Sequence, residues 1–325
     1  MSLYPLILIV SLALGSCAAK SSDKGENGVS AAETASVNEN ITPSFSADSA
    51  YKYLARQVEF GPRVPNTEAH RKAGDWLVAE LKRHGAEVTE QKAGLTTFDN
   101  TPITARNIFG QFNPGAEDRI LLLAHYDCRP WADQDPDISK RNTPVDGAND
   151  GASGVAVLLE AARQLKATGS KKGVDILFVD AEDWGTDGDD ESWAMGARYF
   201  ANNPILPGYA PKMAILLDMV GGKEATFPRE YFSQRYAAPI NNAFWKAAAE
   251  AGYSELFTNE IGGAVTDDHI ELLKAGIPAI DIIDYRAGTG FNPTWHTSSD
   301  NLENISTETL GAVGNSLMQF LSSQP

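Results

Sequence analysis

Residues 119–127 read RILLLAHYD, an apolar run that ends in a histidine and an aspartate. Residues 174–183, VDILFVDAED, follow the same pattern, and residues 213–218, MAILLD, follow it again. Apolar runs without alternation mark strands covered on both faces. Amphipathic stretches separate them. After the first run, Val155, Leu158, Leu159, Ala162 and Leu165 fall on one helical face. Working outward, further strands are expected at Asn107–Phe112 and Ala279–Ile283. Helices are expected around Tyr51–Val58, Thr67–His84, Trp193–Asn202, Ser233–Ala251, Asp268–Ala275 and Thr307–Leu321. Strands alternating with helices in this way predict an α/β fold, a single-domain α/β/α sandwich with a central, mostly parallel mixed sheet. In such sheets ligands bind beyond the carboxyl ends of the strands.

The composition agrees with a folded globular chain. Of 325 residues, 42% are hydrophobic and 22% charged, enough apolar material for a sizeable core. The formal net charge is −16, which argues against nucleic acid as a partner, because phosphate binding wants a basic face. There are two cysteines, Cys17 and Cys128, so a disulfide framework is excluded.

The N-terminus carries its own signal. Residues 3–14, LYPLILIVSLAL, are too short an apolar run to span a bilayer and read as the core of a signal peptide. Leu14-Gly15-Ser16-Cys17 resembles a bacterial lipobox, in which Cys17 is lipidated, although no Lys or Arg precedes the apolar run. Ala18 and Ala19 stand where an inner-membrane retention aspartate would. The expected division is a signal peptide at 1–16, a lipidated Cys17 with a flexible polar linker through 44, and a catalytic domain at 45–325. The expected location is the bacterial cell envelope, on the outer membrane facing the periplasm, with the lipid as the only membrane contact.

Polar residues collect at the strand ends. His125 and Asp127 follow the first run, Glu182 and Asp183 the second, and Asp218 the third. Asp150 sits in the glycine-rich turn Gly147-Ala148-Asn149-Asp150-Gly151, and His296 follows the strand at 279–283 by a loop. Any one such aspartate is more often a cap or turn former. Together they bring carboxylates and imidazoles to one sheet edge, where a divalent cation would offset the charge, and these are donors that zinc accepts. The acidic runs at 133–137 and 187–191 lack the full spacing of a calcium loop and are expected as solvated loops, the second shaping the rim of the site. His70 and His84 are expected near a helix surface, and Cys128 as a buried thiol.

In order, HYD, GANDGASG, the acidic pair, LLD, DDH and WHTSSDN resemble the zinc aminopeptidase-like (M28) superfamily over about residues 46–321. Within it, Trp295 before His296, Phe291, Trp193 and Asp267-Asp268-His269 make the chain most similar to the animal-type glutaminyl cyclases. The resemblance implies a zinc aminopeptidase/phosphorylase-hydrolase-like sandwich with one Zn2+ per chain, held by Asp150, Asp183 and His296. It implies Glu182 as the general acid/base, Asp218 and Asp267 hydrogen-bonded to each other and to the substrate, and Trp193, Phe291 and Trp295 as pocket walls. His125 and Asp127 would hold a second metal or support the first, and His269 would orient Asp267. The family usually has Glu where Asp183 stands, so the ligand here is one methylene shorter. The implied reaction is cyclisation of N-terminal Gln to pyroglutamate with release of ammonia, on peptides or proteins that begin with Gln. Two alternatives stay open: a two-zinc M28 aminopeptidase, since all five ligand positions are filled, and a non-catalytic surface lipoprotein with the same fold.

Overall fold

The computed structural model describes residues 45–169, 172–286 and 288–324. The expected signal segment, Cys17 and the linker lie outside the described residues. Along the chain the elements are α1 (Ala47–Val58), α2 (Glu68–Arg83), β1 (Glu87–Thr96), β2 (Pro102–Phe112), β3 (Arg119–His125), α3 (Ala152–Thr168), β4 (Gly173–Val179), α4 (Met195–Asn202), β5 (Met213–Leu217), β6 (Phe227–Arg229), α5 (Tyr231–Tyr236), α6 (Ala238–Glu250), β7 (Phe257–Ile261), α7 (Asp268–Lys274), β8 (Ala279–Ile282), the short β9 (Tyr285–Arg286) and β10 (Gly290–Phe291), and α8 (Thr307–Ser323).

Six strands form the main sheet in the order β1-β2-β4-β3-β5-β8. The four strands β4, β3, β5 and β8 run parallel, and β1 and β2 add an antiparallel margin. Every residue of β3 and β4 is buried, as strands covered on both faces must be. Neighbouring side chains serve opposite layers. Leu122, Ala124 and Ile176 pack with Leu54, Leu159 and Leu317 of α1, α3 and α8. Leu121, Leu123 and Leu177 pack with Phe200 and Leu272 of α4 and α7. The result is the expected α/β/α sandwich. No helix among the described residues is long and apolar enough to cross a membrane.

Local chemistry sets the helix ends. Ser46, Thr67 and Ser306 cap α1, α2 and α8 by accepting the N–H of Ser49, His70 and Thr309. The helix expected at 233–251 is instead two, α5 and α6. Ala237 breaks it at φ −133°, and Pro239 in the first turn of α6 has no N–H to donate back to α5 and its ring would clash with the preceding turn of a continuous helix. The helix expected from Trp193 begins at Met195. A short 3-10 turn covers Asp190–Ser192, and Trp193 itself is extended. His70 and His84 are not near the surface: they are buried at 5% and 2% exposure. His70 Nε2 meets Asp180 at 2.8 Å and its ring stacks on Tyr126, while His84 Nε2 lies 2.9 Å from the Tyr53 hydroxyl. Their polar partners come from distant chain segments.

Candidate active site

The adjacent parallel strands β4, β3 and β5 end at one edge of the sheet, and each hands acids or an imidazole to it. His125 closes β3, Glu182 and Asp183 follow β4, and Asp218 follows β5. The turn before α3 adds Asp150, and the loop after β10 adds Trp295 and His296.

These side chains form two trios that share Asp150. In the first, His296 Nε2 lies 3.1 Å from Asp183 Oδ1 and 3.5 Å from Asp150 Oδ2. In the second, His125 Nε2 lies 3.0 Å from Asp150 Oδ1 and 3.1 Å from Asp218 Oδ1. All five residues are buried. The first trio fits a metal on its own chemistry. Asp183 Oδ2 is buried with no hydrogen-bond partner, an arrangement that costs free energy unless a cation or donor meets it. Burial pushes the Asp183 carboxyl up to about 7, against the opposing pull of Arg129. Burial also holds the His296 ring down to about 3, despite Asp150, so its imidazole is neutral and its lone pair is free to ligate. Two carboxylates and a neutral imidazole are a zinc donor set.

Glu182 stands beside this trio. Burial, then the charge of Asp267, drive its carboxyl well above the usual range, with Asp183 and Asp268 adding and His125 opposing. Asp127 holds the acidic pair from behind: its two carboxylate oxygens accept the N–H of Glu182 and of Asp183, each at 3.2 Å. Asp218 is paired with His125. Asp267 caps α7, its Oδ1 accepting the Asp268 N–H at 2.5 Å, while its Oδ2 is buried without a partner. Among the described residues no hydrogen bond joins Asp218 to Asp267. His269 makes no hydrogen bond to Asp267 among the described residues, though a ring nitrogen lies within 4.8 Å of an Asp267 carboxylate oxygen; its Nε2 faces Glu230 at 3.3 Å.

Above Glu182 lies a cavity of about 230 Å³, walled by Trp193, Phe291 and Trp295, with Asp150, Asp218, Asp267 and His296 also in its lining. Trp193 lies parallel to the His296 ring at 6.0 Å and 17°. Phe291 stacks on Trp295 at 4.4 Å, and Tyr285 meets Phe291 edge-on at 4.5 Å. Gly185 makes room for Trp193, since a Cβ there would lie 2.0 Å from the indole. Asp187 and Asp190 of the acidic run line the mouth, as expected of a rim. Thus Asp150, Glu182, Asp218, Asp267, His296 and the three aromatic residues line one cavity, while His125, Asp127 and Asp183 are not in its lining.

Sequence reasoning passed over the supports. Asp300 accepts the N–H of Asn149 and Asp150 at 2.7 and 3.0 Å, fixing the metal-side turn. The buried Arg63 guanidinium donates to the carbonyls of Tyr126, Asp146 and Gly147. Arg129 donates to Asp133 through Nε and Nη2, at 2.8 and 2.7 Å, and to the Asp183 carbonyl at 3.1 Å. Its guanidinium also lies 4.9 Å from the centre of the Trp193 ring. Asp133 Oδ1 sits 3.6 Å from His296 Nδ1. The WHTSSDN motif contained Asp300 without announcing its role. Nothing in the local sequence marks Arg63 or Arg129.

The backbone of the site is unusual as well. Ala181, Ala194, Met219 and His296 all have positive φ, between 47° and 55°. They flank or are the functional residues, in a region that costs non-glycine residues free energy and is held by the surrounding structure.

The chain is similar to known proteins over most of its described residues. The model of peptidase family M28 matches residues 107–321. Bovine glutaminyl-peptide cyclotransferase is 28% identical over 266 residues, covering 70% of this chain and 69% of that protein. The crystal structure of Bacteroides thetaiotaomicron glutaminyl cyclase, bound to N-acetylhistamine, superposes with TM-score 0.86 at 46% identity, over 87% of this chain and 100% of that one. A Zn-dependent exopeptidase from Parabacteroides distasonis does so with TM-score 0.85 at 51% identity, over 87% and 100%.

Proposed function

The chain belongs to peptidase family M28, and from that membership we propose that it is a zinc-dependent glutaminyl-peptide cyclotransferase, closing N-terminal Gln to pyroglutamate with release of ammonia. The observation that carries this reading is the small cavity that Glu182 lines together with Trp193, Phe291 and Trp295. At about 230 Å³ it is below the usual ligand pocket of ~300–1,000 Å³. It suits one residue folded on itself better than a range of side chains with an attacking water. The likeness to a bacterial glutaminyl cyclase over most of the chain supports the same reading.

Asp150, Asp183 and His296 would hold one zinc. Bound there, zinc supplies Lewis-acid polarisation of the substrate's γ-carboxamide. The remaining work falls to side chains. The aromatic walls hold the glutaminyl side chain bent back toward its own α-amine, removing much of the entropy cost of ring closure. The amine must be neutral to attack, and its ordinary pKa is about 7.7–8.0. As the amine nitrogen bonds to the carbonyl carbon of the γ-carboxamide (Cδ), Glu182 takes its proton. As the bond from that carbon to the amide nitrogen breaks, Glu182 returns the proton to the leaving ammonia. A buried carboxyl with a raised pKa suits both halves of that exchange. Asp218 and Asp267 surround the amine with negative charge, and Asp267 helps keep the Glu182 proton affinity high.

Glu182→Gln tests the assignment. Ammonia release from a Gln-initiated dipeptide should fall at least ~100-fold while bound zinc is unchanged. Full turnover in the variant would remove Glu182 from its role. A two-metal aminopeptidase is the second reading, favoured by the His125, Asp150 and Asp218 trio beside the first. Two tightly held zincs per chain, with free Gln as the product, would establish it over the cyclase.

The envelope location belongs to the same proposal. Lipidated Cys17 would tether the enzyme to the outer membrane, facing periplasmic peptides that begin with Gln. Cys17→Ala should then move the protein to the soluble envelope fraction, and unchanged membrane association would refute the tether.

A further inference from the structure

A second groove, of about 650 Å³, adjoins the active-site cavity, and Asp190 and Thr266 line both. Its walls are mostly apolar: Phe232 and Tyr236 from α5, Ile270 and Leu273 from α7, and Ile277 and Pro278 before β8. Phe232 and Tyr236 stack at 6.2 Å and 15°, yet Tyr236 is 60% exposed. A stacked aromatic pair left open to water beside a reaction cavity is more than a stray surface residue. Among the described residues the cation on its lining is Lys274, engaged by Glu191 at 3.1 Å and Glu271 at 2.9 Å. The rim toward the cavity is acidic, with Asp190 and Glu191.

We propose that this groove binds the residues downstream of the glutaminyl end of a peptide substrate, favouring an aromatic or large aliphatic side chain at the third or fourth position and disfavouring acidic ones. The inference rests on the cyclase reading. Cyclisation expels only ammonia, so the rest of the peptide stays joined through the glutaminyl carbonyl and must leave a cavity sized for one residue. An extended chain advances ~3.3–3.6 Å per residue, so two or three residues past Gln carry it across the shared rim onto the groove. The apolar walls supply contact area, and the acidic rim with its neutralised lysine repels carboxylates.

The test uses the zinc-loaded full chain and ammonia release from Gln-Ala amide, Gln-Ala-Phe-Ala amide and Gln-Ala-Asp-Ala amide. The Phe peptide should exceed the dipeptide in kcat/KM by about tenfold, and the Asp peptide should not. Tyr236→Ala and Phe232→Ala should erase that advantage and leave dipeptide turnover within about twofold, which also shows that the variants are folded. Equal kcat/KM for the Phe peptide and the dipeptide in the unsubstituted protein would overturn the groove assignment while leaving the cyclase reading intact. So would variants that lower both substrates alike, or that turn a dimer into a monomer without touching the length dependence. If no substrate releases ammonia, the cyclase reading falls, and calorimetric Kd values decide the groove alone. About tenfold weaker binding of the Phe peptide to Tyr236→Ala supports it, and equal binding overturns it.

Discussion

Asp183, a proposed zinc ligand, is held on several sides by its neighbours. Its N–H is fixed by Asp127, its carbonyl by Arg129, and Arg129 is itself locked by two bonds to Asp133. Asp133 Oδ1 also lies 3.6 Å from the buried, unpartnered Nδ1 of His296, close enough for a small shift on metal binding to bring the two into the carboxylate–imidazole contact that supports a ligating histidine. Asp133→Asn should therefore weaken zinc binding by roughly 10–100-fold, read by competition with a chromogenic chelator. An unchanged zinc affinity would show Asp133 to be a mere loop residue, which is how its sequence context reads. The limit on reading it was physical: Glu182, Asp183 and Asp218 follow apolar strands and Asp150 sits in a glycine-rich turn, whereas Asp133 meets an arginine and a histidine that only tertiary structure brings near. Asp175 is a similar case, an acid inside an apolar strand. It is explained by its bidentate pairing with Arg119 at 2.5 and 2.8 Å.

Among the elements, the buried strands and capped helices were legible because burial on two faces and an N-cap both leave local marks. The edge strand β1 was not. Its sequence, EVTEQKAGLT, is exposed at most positions and carries no alternation, and its identity comes from ten antiparallel pairs with β2. The break between α5 and α6 was legible in principle at Pro239, yet a continuous helical periodicity masked it. The end of α2 yields a prediction of its own. His84 is buried, and burial, reinforced by the charge of Arg83, lowers its pKa to about 4, against the pull of Glu80; Lys166 and Glu160 act more weakly in opposite senses. In the unfolded chain a histidine titrates near 6.5. As pH falls below ~6.5 the unfolded state takes up a proton that the folded state refuses until about pH 4. Stability is thus lost across that window and is level below it. Relative to His84→Gln, the unsubstituted protein should lose roughly 1–3 kcal/mol between pH 7 and pH 4, measured by urea denaturation. Parallel pH curves for the two proteins would show that His84 does not titrate in this way.

At the scale of the whole molecule, the proposed zinc joins distant parts of the chain: Asp150 before α3, Asp183 after β4 and His296 after β10. A ligand bound only by the folded state stabilises it by mass action, ~4 kcal/mol at a thousand times Kd. Chelation should lower the melting temperature by roughly 5–10 °C, and zinc should restore it. A scan that does not move on chelation would mean the trio does not hold a metal in solution. The acid excess also resolves into parts at this scale. A few buried carboxylates concentrate at one sheet edge, while others are exposed in surface ion pairs such as Glu68 with Arg71. A net charge alone carries no such division.

The left-handed residues Ala181, Ala194, Met219 and His296 bear on whether this site is portable. Each costs on the order of 1–2 kcal/mol as a free segment, so none of these turns would keep its shape outside the sheet that clamps it. Transplanting Asp150, Glu182, Asp183 and His296 onto another scaffold would move the side chains without the backbone that aims them. The transferable unit is the set of strand ends together with their turns, and any redesign of the chemistry has to begin there.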